Sequence, residues 1–591
     1  MRLLRSPVDF GGFQVKRCFK NFKDFLFLIL FAILISSGCS EDETVSPEQP
    51  SEFQILNILS NPLSPEPGTV DTLSARVVGS SSGERLSYKW SVDEGTLMED
   101  DEGVVRWQVP QAKGDYKVRV EIELGGKTRR DSTVISIRDQ AIVDTGRLHS
   151  IYPQVINGDL FFISPFYNRF IAEEDKYSFA DFQFYGADLY RYEDSTVSVR
   201  ITEDLYGDVE IFHREEGANY FGITDDGQKA IVNVFNDYNP NYAMTHMNVG
   251  RYDLYGGTDI KITYDMNGQS DINRYNQYRH PSFNSDGSVV VMEYIQAGEL
   301  GDGSEDFFDI AYWEEGDGIV PEVLVESVDT VVVKGLPFPV YYQNILPQLT
   351  RDESSIIYFS NRISELDTLP NYYEPYVIPI IGGEPDTSQT EFFDIVRDAR
   401  IRIGNNTIIQ WSPNGDMAAF NATINNMPTL CYLNYNSSNR SLSIDVTGLT
   451  RVHEFVWAPD GSMGAIINGD GVYLVAPGGG IITEVLNKER DTDDMYGVNW
   501  SRSGDRLAFR LVRKGKVWFE SWNAIMEYTV SSDRLVYVSE GYRWEKRDEP
   551  ADIDYRWKRV HYDEAGEIYA PVFTSADPNT LVSVSRIVHI Y

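Results

Sequence analysis

Apolar positions in this chain fall mostly into short alternating runs broken by turn residues, the pattern of strands rather than helices. The clearest unit is Trp411-Ser412-Pro413-Asn414-Gly415-Asp416-Met417-Ala418-Ala419-Phe420. Its two apolar segments flank an Asn-Gly pair, which supplies the positive φ angles of a tight hairpin. The same layout returns at residues 456–466, 498–509 and 281–291. Turn-centred hairpins fall near Gly158, Gly227, Gly287, Ser354, Gly415, Gly461, Gly504 and Gly566, at spacings of 69, 60, 67, 61, 46, 43 and 62 residues. Two further strands follow most of them, as 471–475 and 481–485 follow the hairpin at Gly461.

A sheet of four short strands cannot bury both faces alone, so such units must stack around an axis. Four strands per period therefore predict a β-propeller over residues 144–591. Eight blades are counted. Seven is the runner-up, because the weak copies at Asn157-Gly158 and Ala565-Gly566 could complete one blade between them. Ahead of the repeats, residues 52–140 hold six or seven short alternating strands separated by turns, which read as a β-sandwich with Trp90 as a core anchor.

Composition fits this picture, since 36 Tyr and 30 Phe suit strands. Ninety Asp and Glu against 52 Lys and Arg give a net charge of -38. That charge repels phosphates and excludes nucleic acid as a partner, leaving a cation, a basic protein or a neutral glycan. The three cysteines are Cys18, Cys39 and Cys431. They provide no disulfide framework, and Cys431 reads as a buried strand thiol.

At the N-terminus, Arg2, Arg5, Lys16, Arg17, Lys20 and Lys23 precede an unbroken apolar run from Phe25 to Ile35. Eleven residues are too few to span a bilayer and fit the core of a signal peptide. The following Ser36-Ser37-Gly38-Cys39 resembles the lipobox of bacterial lipoproteins, with Ser36 where Leu is usual. The resemblance implies a signal peptide over 1–38, lipidation of Cys39, and a lipid-anchored acidic and Pro-containing linker over 39–51. Ser40-Glu41-Asp42-Glu43 is similar to the export signal of Bacteroidota lipoproteins, which implies the outer membrane and the cell surface. In the sandwich, the Tyr88-x-Trp90 strand and residues 114–120 resemble PKD and other Ig-like bacterial modules, although Val92-Asp93-Glu94-Gly95 stands where the family has Gly-Asp-Gly. The repeated hairpin resembles the TolB-type (PD40, WD40-like) propeller repeat, also seen in the propeller domains of prolyl-oligopeptidase-like enzymes. Such propellers serve mostly as docking surfaces. The fold class is thus all-β, an Ig-like β-sandwich followed by a seven- or eight-bladed β-propeller, eight preferred.

Candidate chemistry is sparse. Residues 79–83 match the G-x-S-x-G nucleophile string, but they lie in a Ser/Gly loop with no α/β domain to follow. The seven histidines form no metal-binding pair in sequence. His280 and His453 stand where innermost strands begin, a placement similar to that in propeller-type lyases with channel histidines and a metal. Acidic stretches at 301–306 and 491–494 offer oxygen ligands for Ca2+ or another divalent metal but lack EF-hand spacing. Aromatic segments at 166–171, 341–344 and 372–376 could stack on sugars or anchor a protein interface.

These features lead to an expected non-enzymatic binding or scaffolding lipoprotein. Its partner would be an envelope protein or an extracellular glycan or peptide, with no catalytic residue, cofactor or metal site assigned. The alternative is a polysaccharide lyase or hydrolase using His280 and His453 with a metal. Oligomeric state is left open.

Overall fold

The computed structural model describes residues 53–591 apart from 62–63, 80–84, 102, 146–150, 166–186, 195–196, 202–220, 240–243, 264–275, 297–306, 318–320, 334–335, 363–372, 397–400, 404–406, 489–492, 514–521, 540–541, 544–558 and 578–579. The expected targeting segment, Cys39 and its acidic followers, Ser80–Gly83, the acidic stretch 301–306 and the aromatic stretch 166–171 therefore lie outside the described residues. Two compact units are distinguished: Met1–Gln54 with Val77–Glu84, and Ile55–Arg76 with Arg85–Tyr591. All that follows concerns the second, to which the strand Val70–Val78 belongs as far as Arg76.

The protein is nearly all β. Among the described residues, the helical elements are two 3-10 turns, Thr387–Gln389 and Val530–Ser532. Near the N-terminus, Val70–Val78, Thr96–Asp101 and Val104–Gln108 belong to one antiparallel sheet, and Ser87–Val92, Gly114–Leu124 and Lys127–Ile137 form a second. Alternation along Gly114–Leu124 buries Tyr116, Val118, Val120, Ile122 and Leu124 while Lys117, Arg119 and Glu123 face out. Trp90 is buried as expected, and Trp107 is wholly buried, its indole N–H donating to the Glu94 carbonyl at 3.0 Å.

Asp71 is buried in this first region, accepting from the Ser60 hydroxyl and from the Asn61 N–H at 3.0 Å. Burial pushes its carboxyl from 3.8 up to about 6, against the lowering effect of those hydrogen bonds. The folded state thus holds a proton that the unfolded chain releases nearer 3.8, so stability is lost as pH rises between about 4 and 6. Asp71→Asn is expected to abolish that loss and raise the denaturation midpoint at pH 7; equal pH dependence in the variant and the parent would refute this.

Among the described residues, the rest of the chain forms eight antiparallel meanders, seven with four main strands within residues 151–200, 221–261, 276–325, 344–392, 409–450, 452–487 and 493–537, and an eighth within 561–590; a parallel contact, Met247↔Gln277, joins the second and third. A separate hairpin, Val328–Val333 with Leu336–Tyr341, is inserted between the third and fourth. Successive sheets share apolar cores. Ile231 and Val249 of the second pack with Val290 and Trp313 of the third, and Tyr432 of the fifth with Phe455 and Trp457 of the sixth. Phe509 of the seventh packs with Val472 and Leu474 of the sixth. Cys431 is a free, fully buried thiol in the core shared by the fourth and fifth sheets, pushed up to about 12 by burial and so inert.

The eighth sheet has only three strands of its own, His561–Tyr562, Ile568–Asp577 and Thr580–Ile590. Its fourth is Gln140–Val143, which precedes the first sheet, in the register Ile587↔Val143, Val588↔Ile142, His589↔Ala141 and Ile590↔Gln140. Ile587 also packs with Val155, Leu160 and Phe162 of the first sheet, so the succession closes on itself. The hairpins at Asn157-Gly158 and Ala565-Gly566 therefore belong to two different sheets.

The repeat turn differs in detail from the expected Asn-Gly geometry. At 414–415 only Gly415 has positive φ (79°), because the Gly415 N–H donates to the Ser412 carbonyl in a longer loop; both residues are positive only at Asn157 (52°) and Gly158 (86°). A Cβ on Gly415 would also come within 2.7 Å of the Arg351 Cβ in the preceding sheet's turn. The turn near Ser354 lacks glycine, and Glu353 takes up the positive φ (56°).

Candidate binding site at the closing seam

Two kinds of constellation stand out, one locking sheet to sheet and one lining an open cleft. The lock is built on a bulge that recurs in the first strand of three sheets. His280, Leu346 and Gly497 each lie seven residues before the turn residue with positive φ (Gly287, Glu353, Gly504), and each has positive φ itself: 51°, 54° and 67°. Buried carboxylates from the preceding sheet grip two of these bulges. Glu293 accepts the Leu346 N–H at 2.7 Å, and Glu454 accepts the Gly497 N–H on both oxygens at 2.9 Å and the Val498 N–H at 3.2 Å.

His280 is thereby placed inside a lock. It is buried, with Nδ1 at 2.9 Å from Glu293 Oε2, and the Arg279 Nε stands at 2.9 Å from the same oxygen. Burial by itself would raise the Glu293 pKa; the adjoining His280 and Arg279, with the hydrogen bonds from His280 and Leu346, hold it well below the usual carboxylate range. His453, by contrast, is exposed on the first strand of the sixth sheet, its pKa lowered by partial desolvation and by Lys488. Its neighbour Glu454 is engaged in the lock just described. Among the described residues, neither histidine belongs to a group of three metal-ligating side chains.

The cleft lies where the eighth sheet meets the first, with a volume of about 550 Å³. Ala141–Asp144 form one side, the Gly158–Leu160 hairpin and Tyr192-Glu193 the opposite side, and Tyr569, His589 and Tyr591 complete the lining. Each side chain is set by strand alternation: Tyr569 pairs with His589 across the last hairpin, so their rings stack at 4.1 Å and 14°. Tyr591 tilts against His589 at 4.7 Å and carries the Lys113 ammonium 4.8 Å from its ring centre. Glu567 Oε2 stands 2.7 Å from His589 Nε2, and Glu193 is paired with Arg191 at 2.6 Å. Burial pushes the Tyr569 hydroxyl up to about 12, helped by the Asp563 and Glu567 charges, so it stays a neutral donor. Aromatic faces beside carboxylates suit a cationic or hydroxyl-rich ligand.

Below this cleft, His561 Nε2 lies 3.2 Å from the Val155 carbonyl, joining the eighth sheet to the first. Burial lowers its pKa to about 4, with the Val155 hydrogen bond opposing. Of the residues lining the seam, Gly158 was singled out as a repeat turn, and none was singled out as a site residue. The available signal was the charged turn Asp563-x-x-x-Glu567 in the weakest repeat and the alternating His589-x-Tyr591 at the end. Of the aromatic segments that were singled out, Tyr373 is buried with its hydroxyl on Gln343, and Tyr376 stacks on Tyr358 at 5.3 Å. Both serve packing.

No protein-family model matches the chain, and no curated protein matches its sequence. Solved structures similar to it are distant. A prolyl endopeptidase shares 13% identity over 75% of this chain and 55% of its own, with a TM-score of 0.39, so this chain spans about half that enzyme's length. An oligogalacturonate lyase in complex with manganese shares 9% identity over 86% of this chain and 97% of its own, with a TM-score of 0.34. A quinonprotein alcohol dehydrogenase-like protein from Bacteroides thetaiotaomicron shares 11% identity over 81% and 94%, with a TM-score of 0.30. At these scores the likenesses carry no argument about chemistry.

Proposed function

We propose that this chain is a lipid-anchored, surface-exposed outer-membrane protein of Bacteroidota type, and that it acts as a non-enzymatic binding module. Its eight meanders are the blades of an eight-bladed TolB-like propeller behind an Ig-like (PKD-type) sandwich. The ligand is an extracellular glycan or peptide, or an envelope protein presenting one. The observation that carries this reading is the seam cleft, open and lined by Tyr192, Tyr569 and Tyr591 beside Asp144, Asp159 and Glu193. Its rings offer stacking faces and its carboxylates accept from hydroxyl or ammonium groups. The competing reading, a metal-assisted lyase or hydrolase, uses His280 and His453. His280 is committed to Glu293, and such a buried pair orders the fold whether or not a substrate is present.

The test is a pull-down from native membranes with the full chain as bait, beside Tyr192→Ala/Tyr569→Ala, together with a soluble glycan and peptide panel. Retention of a partner or ligand by the parent, and its loss at least about tenfold in the double variant, is the expected result. Chelator-sensitive cleavage of a glycan, unchanged in the double variant, would replace the binding reading with the enzymatic one.

A further inference from the structure

The eighth sheet also gathers donors that the proposed binding role does not require. Asp563, Glu567 and His589 each offer one ligand atom, and the three atoms lie within 4.8 Å of one another. All three side chains are half-buried, neither sunk in the core nor loose on the surface. Two elements bring them together. Asp563 and Glu567 flank the turn closed by the Gly566 N–H on the Asp563 carbonyl, and Asp563 Oδ1 accepts the Glu567 N–H at 2.8 Å. His589 comes from the facing strand, where it is paired opposite Tyr569.

We propose that Asp563, Glu567 and His589 form a divalent transition-metal site, of the class that takes Zn2+, on the rim of the seam cleft. The donor set decides the class. Calcium favours an all-oxygen shell of six to eight ligands, whereas one imidazole nitrogen with two carboxylates suits zinc and its first-row neighbours. Two ligands on one tetrahedral zinc are about 3.4 Å apart, so the Glu567–His589 contact has only to open by less than about 1 Å. The Tyr569 ring stacked on the imidazole fixes its plane, as the supporting groups of a metal site do. Three protein ligands leave a fourth position, and His589 also lines the cleft, so that position is reachable from it. The Glu567–His589 pair and the Glu567 N–H on Asp563 hold all three side chains together, so the donor set is ordered before any metal binds. The site stands independently of which ligand, if any, the cleft takes.

Calorimetric titration of the full chain in detergent with ZnCl2, then with CaCl2, tests this. Zinc is expected to bind at one site at micromolar or tighter concentration, calcium at least about tenfold more weakly. Asp563→Asn and His589→Ala should each weaken zinc at least about tenfold. Asp563→Asn keeps the oxygen that accepts the Glu567 N–H, so its circular dichroism should match the parent's and separate metal loss from misfolding. Zinc affinity equal in parent and both variants, or no zinc binding by the folded parent, would overturn the site. Neither result bears on retention of a ligand in the pull-down, so the two readings fail separately.

Discussion

Replacing Glu293 with alanine is expected to lower stability by about 3–5 kcal/mol, the usual consequence of removing one member of a buried ion pair. Glu293 is fully buried and answers three groups at once: Arg279, His280 and the Leu346 N–H of the next sheet. Without it, Arg279 keeps its charge in the interior but loses the carboxylate opposite it, beside the Phe308 face at 5.5 Å. The bulge N–H of Leu346 loses its acceptor, a further cost of about 1–3 kcal/mol within that total. Glu293→Gln retains an acceptor for Leu346 but no charge for Arg279, and should fall between. Urea denaturation followed by tryptophan fluorescence measures both; a loss under about 1 kcal/mol for the alanine variant would show that the lock carries little.

The second large effect is a loosening of the seam in acid. His561 titrates near 4 when folded and near its ordinary 6.5 when unfolded. Between those values the unfolded state binds the extra proton, so stability is full above about 6.5 and is lost as pH falls towards 4. The full shift corresponds to on the order of 3 kcal/mol. Asp71 has the opposite sign over much of the same range, so a single global transition would mask both. Hydrogen exchange resolves them. Amides of Gln140–Val143 and Thr580–Ile590 should lose protection between pH 7 and 4.5, after correction for intrinsic rates. His561→Gln, which keeps a donor for Val155, should show no such loss. Equal losses in parent and variant would clear His561 of the effect.

The architecture was legible because its signal is local and repeated. A turn such as Pro459-Asp460-Gly461 between apolar strands marks a hairpin wherever it occurs, and periodic recurrence marks the stacking unit. Even the degenerate turn at Glu353 could be placed from the spacing of its neighbours. What could not be read is what depends on contact between remote segments. Gln140–Val143 carries nothing that names Thr580–Ile590 as its partner, so residues 141–143 fell between the sandwich and the propeller. The seam cleft was invisible for the same reason, since its walls come from residues near 141, 159, 192, 569 and 591. His280 was noticed because it was expected where an innermost strand begins; it lies instead at the bulge partway along Asn276–Phe283. Its engagement with Glu293 depends on a bulge that periodicity does not encode.

The pairing of Gln140–Val143 with Thr580–Ile590 also sets a timetable. During synthesis the closing strand emerges early, with its hydrogen-bonding edge unmet until Thr580–Ile590 has been added. Seven sheets can then form from neighbouring segments, each closing only short loops. The eighth must wait for two segments remote in sequence to meet, the kind of non-local step that folds slowly. Until then an unpaired strand and the apolar face later covered by Ile587 stand open to other chains, so the risk of misassembly is concentrated in that final step.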